Sequence, residues 1–123
     1  MPCAAVWLLV SWLVLTPAEP GGGGLPIPDK LAHLLAWLGL AVTAWPALRA
    51  STRWSRAARA SVVLGVCACW AVATEVLQGA VPGRSGDPLD AAADIAGAVL
   101  GVTAWWLYES RRGASTVRPR RSG

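Results

Sequence analysis

The chain has no phenylalanine, and charged side chains make up only 15% of its 123 residues. A water-soluble domain carries about 25% charged residues, so this surface is too poorly charged for a soluble fold. Cysteine is also scarce, with three in all. Cys67 and Cys69 sit in the middle of an apolar run, and positions two apart on a helix point to nearly opposite sides. They are read as small lipid-compatible side chains rather than a bridge or a metal pair, and Cys3 has no evident partner. No long apolar run shows the alternation of a half-buried strand. No Lys or Arg precedes the first apolar run, and no convincing small-residue cleavage site follows it. Both absences argue against a cleaved signal peptide.

What is present is Ala, Leu, Val and Trp, with 54% hydrophobic residues and a mean hydropathy of +0.46. These runs have helical composition. The expected architecture is all-α: a polytopic membrane helix bundle of about four transmembrane helices, at about residues 3–18, 29–48, 57–78 and 87–108. The first run, Cys3 to Thr16, is short against the roughly 20 residues of a span, but is read as a membrane helix. Gly21 to Gly24 loosens the chain, and Pro26 and Pro28 hold off the next helix until Asp29. Residues 113–123, rich in Arg, Ser and Gly, are expected to be a disordered basic tail.

The net charge of +4 would suggest nucleic acid in a soluble protein, but the placement of the arginines gives another cause. Arg49, Arg53, Arg56 and Arg59 fall around one loop; Arg111, Arg112, Arg118, Arg120 and Arg121 fall in the tail. Two helices separate these segments, so they share a side of the bilayer, and the positive-inside rule makes it the cytoplasm. Both termini are then expected inside. Trp45, Trp54, Trp105 and Trp106 gather at the same boundary, where indole rings prefer to sit.

The opposite boundary collects a different set. Asp29, Lys30 and His33 open the second helix, and Glu75 and Gln78 close the third. Arg84 and Asp87 lie in the turn, and Asp90 and Asp94 lie in the first turns of the fourth helix. Ionisable residues at membrane depth are costly and normally face the bundle interior, where they pair. Plain structural readings stand beside the functional one. Asp29 and Asp87 suit N-caps, the latter with Pro88 at the first helical position. Asp90 is placed to reach back as in a capping box. Lys30 snorkels by default, and a lone histidine is more often a packing residue than a catalyst. Asp29 and His33, four apart, share a face. Glu75 and Asp94 lack a basic neighbour in sequence, so each needs a partner in space or a proton. The expected pairing joins Lys30 or Arg84 to Glu75 or Asp94. Gly97 and Gly101 form a G-x-x-x-G pair that brings two helices close.

These residues, in this order, resemble the VanZ-like family. Its pattern is D-K-x-x-H, then E-x-x-Q, then P-G-R in the turn, then D-x-x-x-N-x-x-G-x-x-x-G. The chain has Asp29-Lys30-x-x-His33, Glu75-x-x-Gln78 and Pro82-Gly83-Arg84. It continues with Asp90-x-x-x-Asp94-x-x-Gly97-x-x-x-Gly101. The likeness covers about residues 26–101, with Asp94 where the family usually carries Asn. It implies a single VanZ-like membrane domain over residues 1–112 of a bacterial envelope protein. It also implies a link to resistance against the glycopeptide teicoplanin, which the founding relative confers at a low level.

Three functions fit the sequence. The first is an envelope protein whose outward polar pocket takes a lipid-linked, glycopeptide or cationic ligand. The second is a membrane-embedded enzyme acting on a lipid headgroup or lipid-linked cell-wall precursor. In it His33 or Glu75 would be the general base, and Lys30 and Arg84 would hold an anionic group. The third is a bundle whose polar set only locks helix packing. Five carboxylates oppose Lys30 and Arg84 at this boundary, which suits a cation, a metal or partial protonation better than a phosphate. No ligand spacing assigns a metal, no cofactor is implied, and the expected partner is the bilayer rather than nucleic acid.

Overall fold

The computed structural model describes residues 2–16, 28–83 and 85–115. Every regular element among them is a helix: α1 (Pro2–Leu15), α2 (Asp29–Ser51), α3 (Arg56–Gln78) and α4 (Pro88–Ser115). The all-α architecture read from composition is the observed one. α2, α3 and α4 are long and apolar enough to cross a membrane. α1 is a shorter apolar helix of 14 residues.

Local chemistry sets the ends. Pro28 occupies the N-cap position of α2 and offers no side-chain cap. Asp29 is therefore the first helical residue and not the expected N-cap; there its charge still favours the helix dipole. Ser55 caps α3, its Oγ accepting the Ala58 N–H at 3.1 Å. Asp87 caps α4 as its sequence suggests, with Oδ1 accepting the Leu89 N–H at 2.9 Å and Pro88 at the first position. α4 runs past Tyr108 to Ser115, so Gly113 to Ser115 belong to the helix and not to the expected tail. The extension is held by Glu109 and Ser110, which bond to α2 and α3. The tail residues 116–123 lie outside the described residues.

α2 and α4 form a ladder whose rungs advance in the same direction on both helices. Lys30 meets Asp90, His33 meets Asp94, Val42 meets Trp105 and Trp45 meets Glu109. The two helices therefore run parallel, with α3 returning between their ends. Gly97 and Gly101 permit the close approach. A Cβ at Gly97 would overlap the Leu34 carbonyl oxygen, and one at Gly101 would lie 2.8 Å from the Ala41 Cβ. One rung repairs a defect. Pro46 lies inside α2 and has no N–H to give the Val42 carbonyl. The Trp105 indole donates to that carbonyl instead, at 2.9 Å.

The core lies among α2, α3 and α4, around Trp37, Leu40, Ala41, Val63, Cys67, Ala71 and Ala98. The Trp37 Nε1–H, fully buried, donates to the Cys67 carbonyl at 3.1 Å. α1 adds Val10 to this core and sets Trp7 against Trp70, ring centroids 6.2 Å apart. The outer faces are apolar: Leu8, Leu35, Val72, Val76, Leu100 and Leu107 are all exposed. That is the surface a bundle shows to hydrocarbon, where helices keep every backbone group satisfied internally.

Candidate functional site

Two polar clusters occupy opposite ends of the bundle. At the end where α2 and α4 begin and α3 finishes, the residues singled out above come together in two tiers. The upper tier is Lys30, whose Nζ lies 2.6 Å from Asp87 Oδ2 and 2.6 Å from Asp90 Oδ1. Of the expected pairing of Lys30 or Arg84 with Glu75 or Asp94, this corrects the Lys30 half. Lys30 is the second residue of α2 and level with the cap of α4, whereas Asp94 lies about two turns deeper than that cap. At that depth His33 takes the role, with its Nδ1 hydrogen-bonded to Asp94 Oδ1 at 2.9 Å.

Asp90 does not reach back to the Asp87 N–H as a capping box would. That N–H donates to Glu75 Oε2 at 2.7 Å, so α3 supplies the acceptor and Asp90 is left for Lys30. Gly86 makes the contact possible, since a Cβ there would lie 2.7 Å from the Glu75 carbonyl oxygen. The carboxyl of Asp87, just outside α4, is held below the usual carboxylate range by the Lys30 ammonium and then by the Leu89 N–H.

The lower tier is closed to solvent. His33 is 4% exposed and Asp94 0%, and His33 stacks on Trp37 with ring centroids 6.1 Å apart. Gln78, the last residue of α3, is buried beside this end, and Asp29 is exposed at its rim. Two buried oxygens, Glu75 Oε1 and Asp94 Oδ2, have no hydrogen-bond partner among the described residues. Donor atoms of His33, Glu75 and Asp94 lie within 4.8 Å of one another, and so do those of Asp29, His33 and Asp90. Arg84 lies outside the described residues.

The other end holds a residue that sequence reasoning passed over. Glu109 accepts from Arg59 at 3.0 Å, from Arg49 at 3.2 Å and from the Trp45 indole at 2.9 Å. Arg59 is buried and lies over the Trp45 ring, 5.1 Å from its centroid, while Arg56 lies over Trp106 at 5.5 Å. The signal was available. Glu109 is the lone carboxylate at an arginine-rich boundary, and such a residue is placed to pair.

Comparison with curated proteins and with solved structures finds no match. A family model, VanZ/LLP1, matches residues 5–109, most of the chain and every element that builds the polar end. The chain belongs to the VanZ/LLP1 family.

Proposed function

We propose that this chain is a multi-pass protein of the bacterial cell membrane, both termini in the cytoplasm. Its polar end faces outward and takes up a cationic group of an envelope ligand, lipid-linked or glycopeptide. The observation that carries the reading is the imbalance at that end. Lys30 is shared by two carboxylates, while Glu75 and Asp94 each keep a buried oxygen without a partner among the described residues. Carboxylate oxygens out of water call for a cation or a donor, because each unmet group costs on the order of 1–3 kcal/mol. The arginines at the opposite end support the orientation.

The test is complementation of a deletion strain, scored for teicoplanin susceptibility and envelope lipid composition. Glu75→Gln is expected to lose the phenotype at normal membrane abundance. Full activity of Glu75→Gln would remove this end from the function. Orientation is read by thiol labelling after the native cysteines are replaced. Ser85→Cys reacts with an impermeant reagent in intact cells and Ser51→Cys does not; labelling of Ser51→Cys overturns the orientation.

The enzymatic reading has one observation of its own, the hydrogen-bonded His33–Asp94 pair, an arrangement that can accept and return a proton. Turnover of a labelled lipid-linked precursor by the purified protein, abolished by Glu75→Gln, would favour it over recognition alone.

A further inference from the structure

We infer that His33, Glu75 and Asp94 form a binding site for one divalent first-row metal ion of the Zn2+ class. No spacing in the sequence announces such a site, because each ligand comes from a different helix: His33 from α2, Glu75 from α3 and Asp94 from α4.

Geometry comes first. The three donor atoms lie within 4.8 Å of one another. Ligands held about 2.1 Å from one ion are themselves up to about 4.2 Å apart, so small side-chain rotations close the set. The 2.9 Å between His33 Nδ1 and Asp94 Oδ1 is that of a hydrogen bond; it needs to open only to about 3.4 Å, the separation of two tetrahedral ligands about 2.1 Å from an ion, for the ion to replace the shared proton.

Unmet bonding is the second, independent observation. Asp94 is fully enclosed, yet its Oδ2 has no partner among the described residues, and Glu75 Oε1 is buried in the same condition. Charge is the third. Two carboxylates and a neutral imidazole carry two negative charges, which one divalent ion neutralises at a depth where a bare charge is costly. Lys30 does not do this, because both of its contacts are in the upper tier.

The donor set selects the ion. One nitrogen and two carboxylates suit Zn2+ and its first-row neighbours, whereas Ca2+ takes six to eight oxygens. Three protein ligands leave a position open for water or for a bound molecule, as in catalytic rather than structural zinc sites. Glu75 is the half-buried member of the three, His33 and Asp94 being buried. The overlapping group of Asp29, His33 and Asp90 is the poorer candidate. Asp90 Oδ1 is taken by Lys30, and Asp29 is exposed.

The inference goes beyond the function proposed above by giving the same two buried oxygens a metal ion as occupant in place of a ligand's cationic group, and it does not depend on orientation. Metal binding by purified protein can fail while complementation succeeds, and the reverse. The experiment uses the full chain in detergent micelles, stripped by a chelator, dialysed against Zn2+ and measured by mass spectrometry. One equivalent is expected. His33→Gln, Glu75→Gln and Asp94→Asn should each weaken binding at least tenfold, while Asp87→Asn and Lys30→Met keep it. Circular dichroism and elution volume confirm that each variant is folded. A second measurement needs no variant: Co2+ bound to the wild-type protein should show visible bands of nitrogen and oxygen ligation. Less than a tenth of an equivalent of Zn2+ overturns the inference. So does equal binding by the triple variant, or a Co2+ spectrum with a thiolate charge-transfer band.

Discussion

Replacing Gly97 with alanine adds one methyl group where α2 and α4 touch. That Cβ would overlap the Leu34 carbonyl oxygen and lie 3.0 Å from both the Leu34 carbonyl carbon and the Leu38 nitrogen. All three are backbone atoms, so no side chain can rotate away and the helices must part. Overpacking costs about 1–3 kcal/mol, and rigid neighbours put this case at the upper end, about 3 kcal/mol. Alanine returns up to about 1 kcal/mol of helix propensity, for a net loss of about 2 kcal/mol. The parting also stretches the adjacent rungs, His33–Asp94 and Trp105–Val42, so the polar end is disturbed with the fold. Gly39 and Gly65 have nothing within 4 Å of an added Cβ and serve as controls; alanine there should be neutral or stabilising. Gly101→Ala, 2.8 Å from the Ala41 Cβ, should be destabilising too. The assay is unfolding in one detergent, followed by tryptophan fluorescence. Gly97→Ala as stable as Gly65→Ala would refute the close-packed account of α2 and α4.

Four further outcomes are expected. Glu109→Gln leaves buried Arg59 without its charge partner and should cost about 3 kcal/mol, measured by the same unfolding assay. Trp37→Phe removes the Cys67 carbonyl contact and should cost about 1 kcal/mol. Pro46→Ala restores an N–H to the Val42 carbonyl, so Trp105→Phe should be milder in that background than alone, a coupling that a double-mutant cycle reads. The depressed Asp87 carboxyl contributes stability that is present above the ordinary carboxylate range and lost as pH falls through and below it. Unfolding midpoints should therefore drop on acidification below about pH 4, and Lys30→Met should flatten that part of the drop.

The sequence carried the fold class because composition alone decides it: too few charges for a soluble surface, and long Ala- and Leu-rich runs. It also carried the Asp87-Pro88 cap, which is local chemistry. Partners across helices were not legible. Whether Lys30 meets Asp90 or Asp94 depends on the relative depth of α2 and α4, and one turn of offset exchanges the answers. The Asp87 N–H could have gone to Asp90, three residues on, but α3 brings Glu75 to it. Trp105 and Pro46 are separated by most of two helices, so nothing local joins the indole to the carbonyl that the proline leaves bare. α4 overran its expected end because Glu109 and Ser110 are held by residues of α2 and α3, which local propensity does not include.

The two polar clusters treat their carboxylates differently. Around Glu109 the acid itself is fully met, both carboxylate oxygens accepting from two arginines and one indole, although the buried Arg59 Nε has no partner among the described residues. Such a cluster ties three helices together through one carboxylate whose charge is matched. At the other end two carboxylates are sheltered from water as well, yet each keeps an oxygen that no described residue meets. Selection for packing alone would favour replacing those groups, since an apolar core of the same shape avoids the desolvation cost entirely. An amide at position 94 would likewise keep an acceptor for His33 and remove the charge. The two oxygens left over here are the ones that the cationic group or the metal ion proposed above would meet, and its binding would offset the cost of burying them.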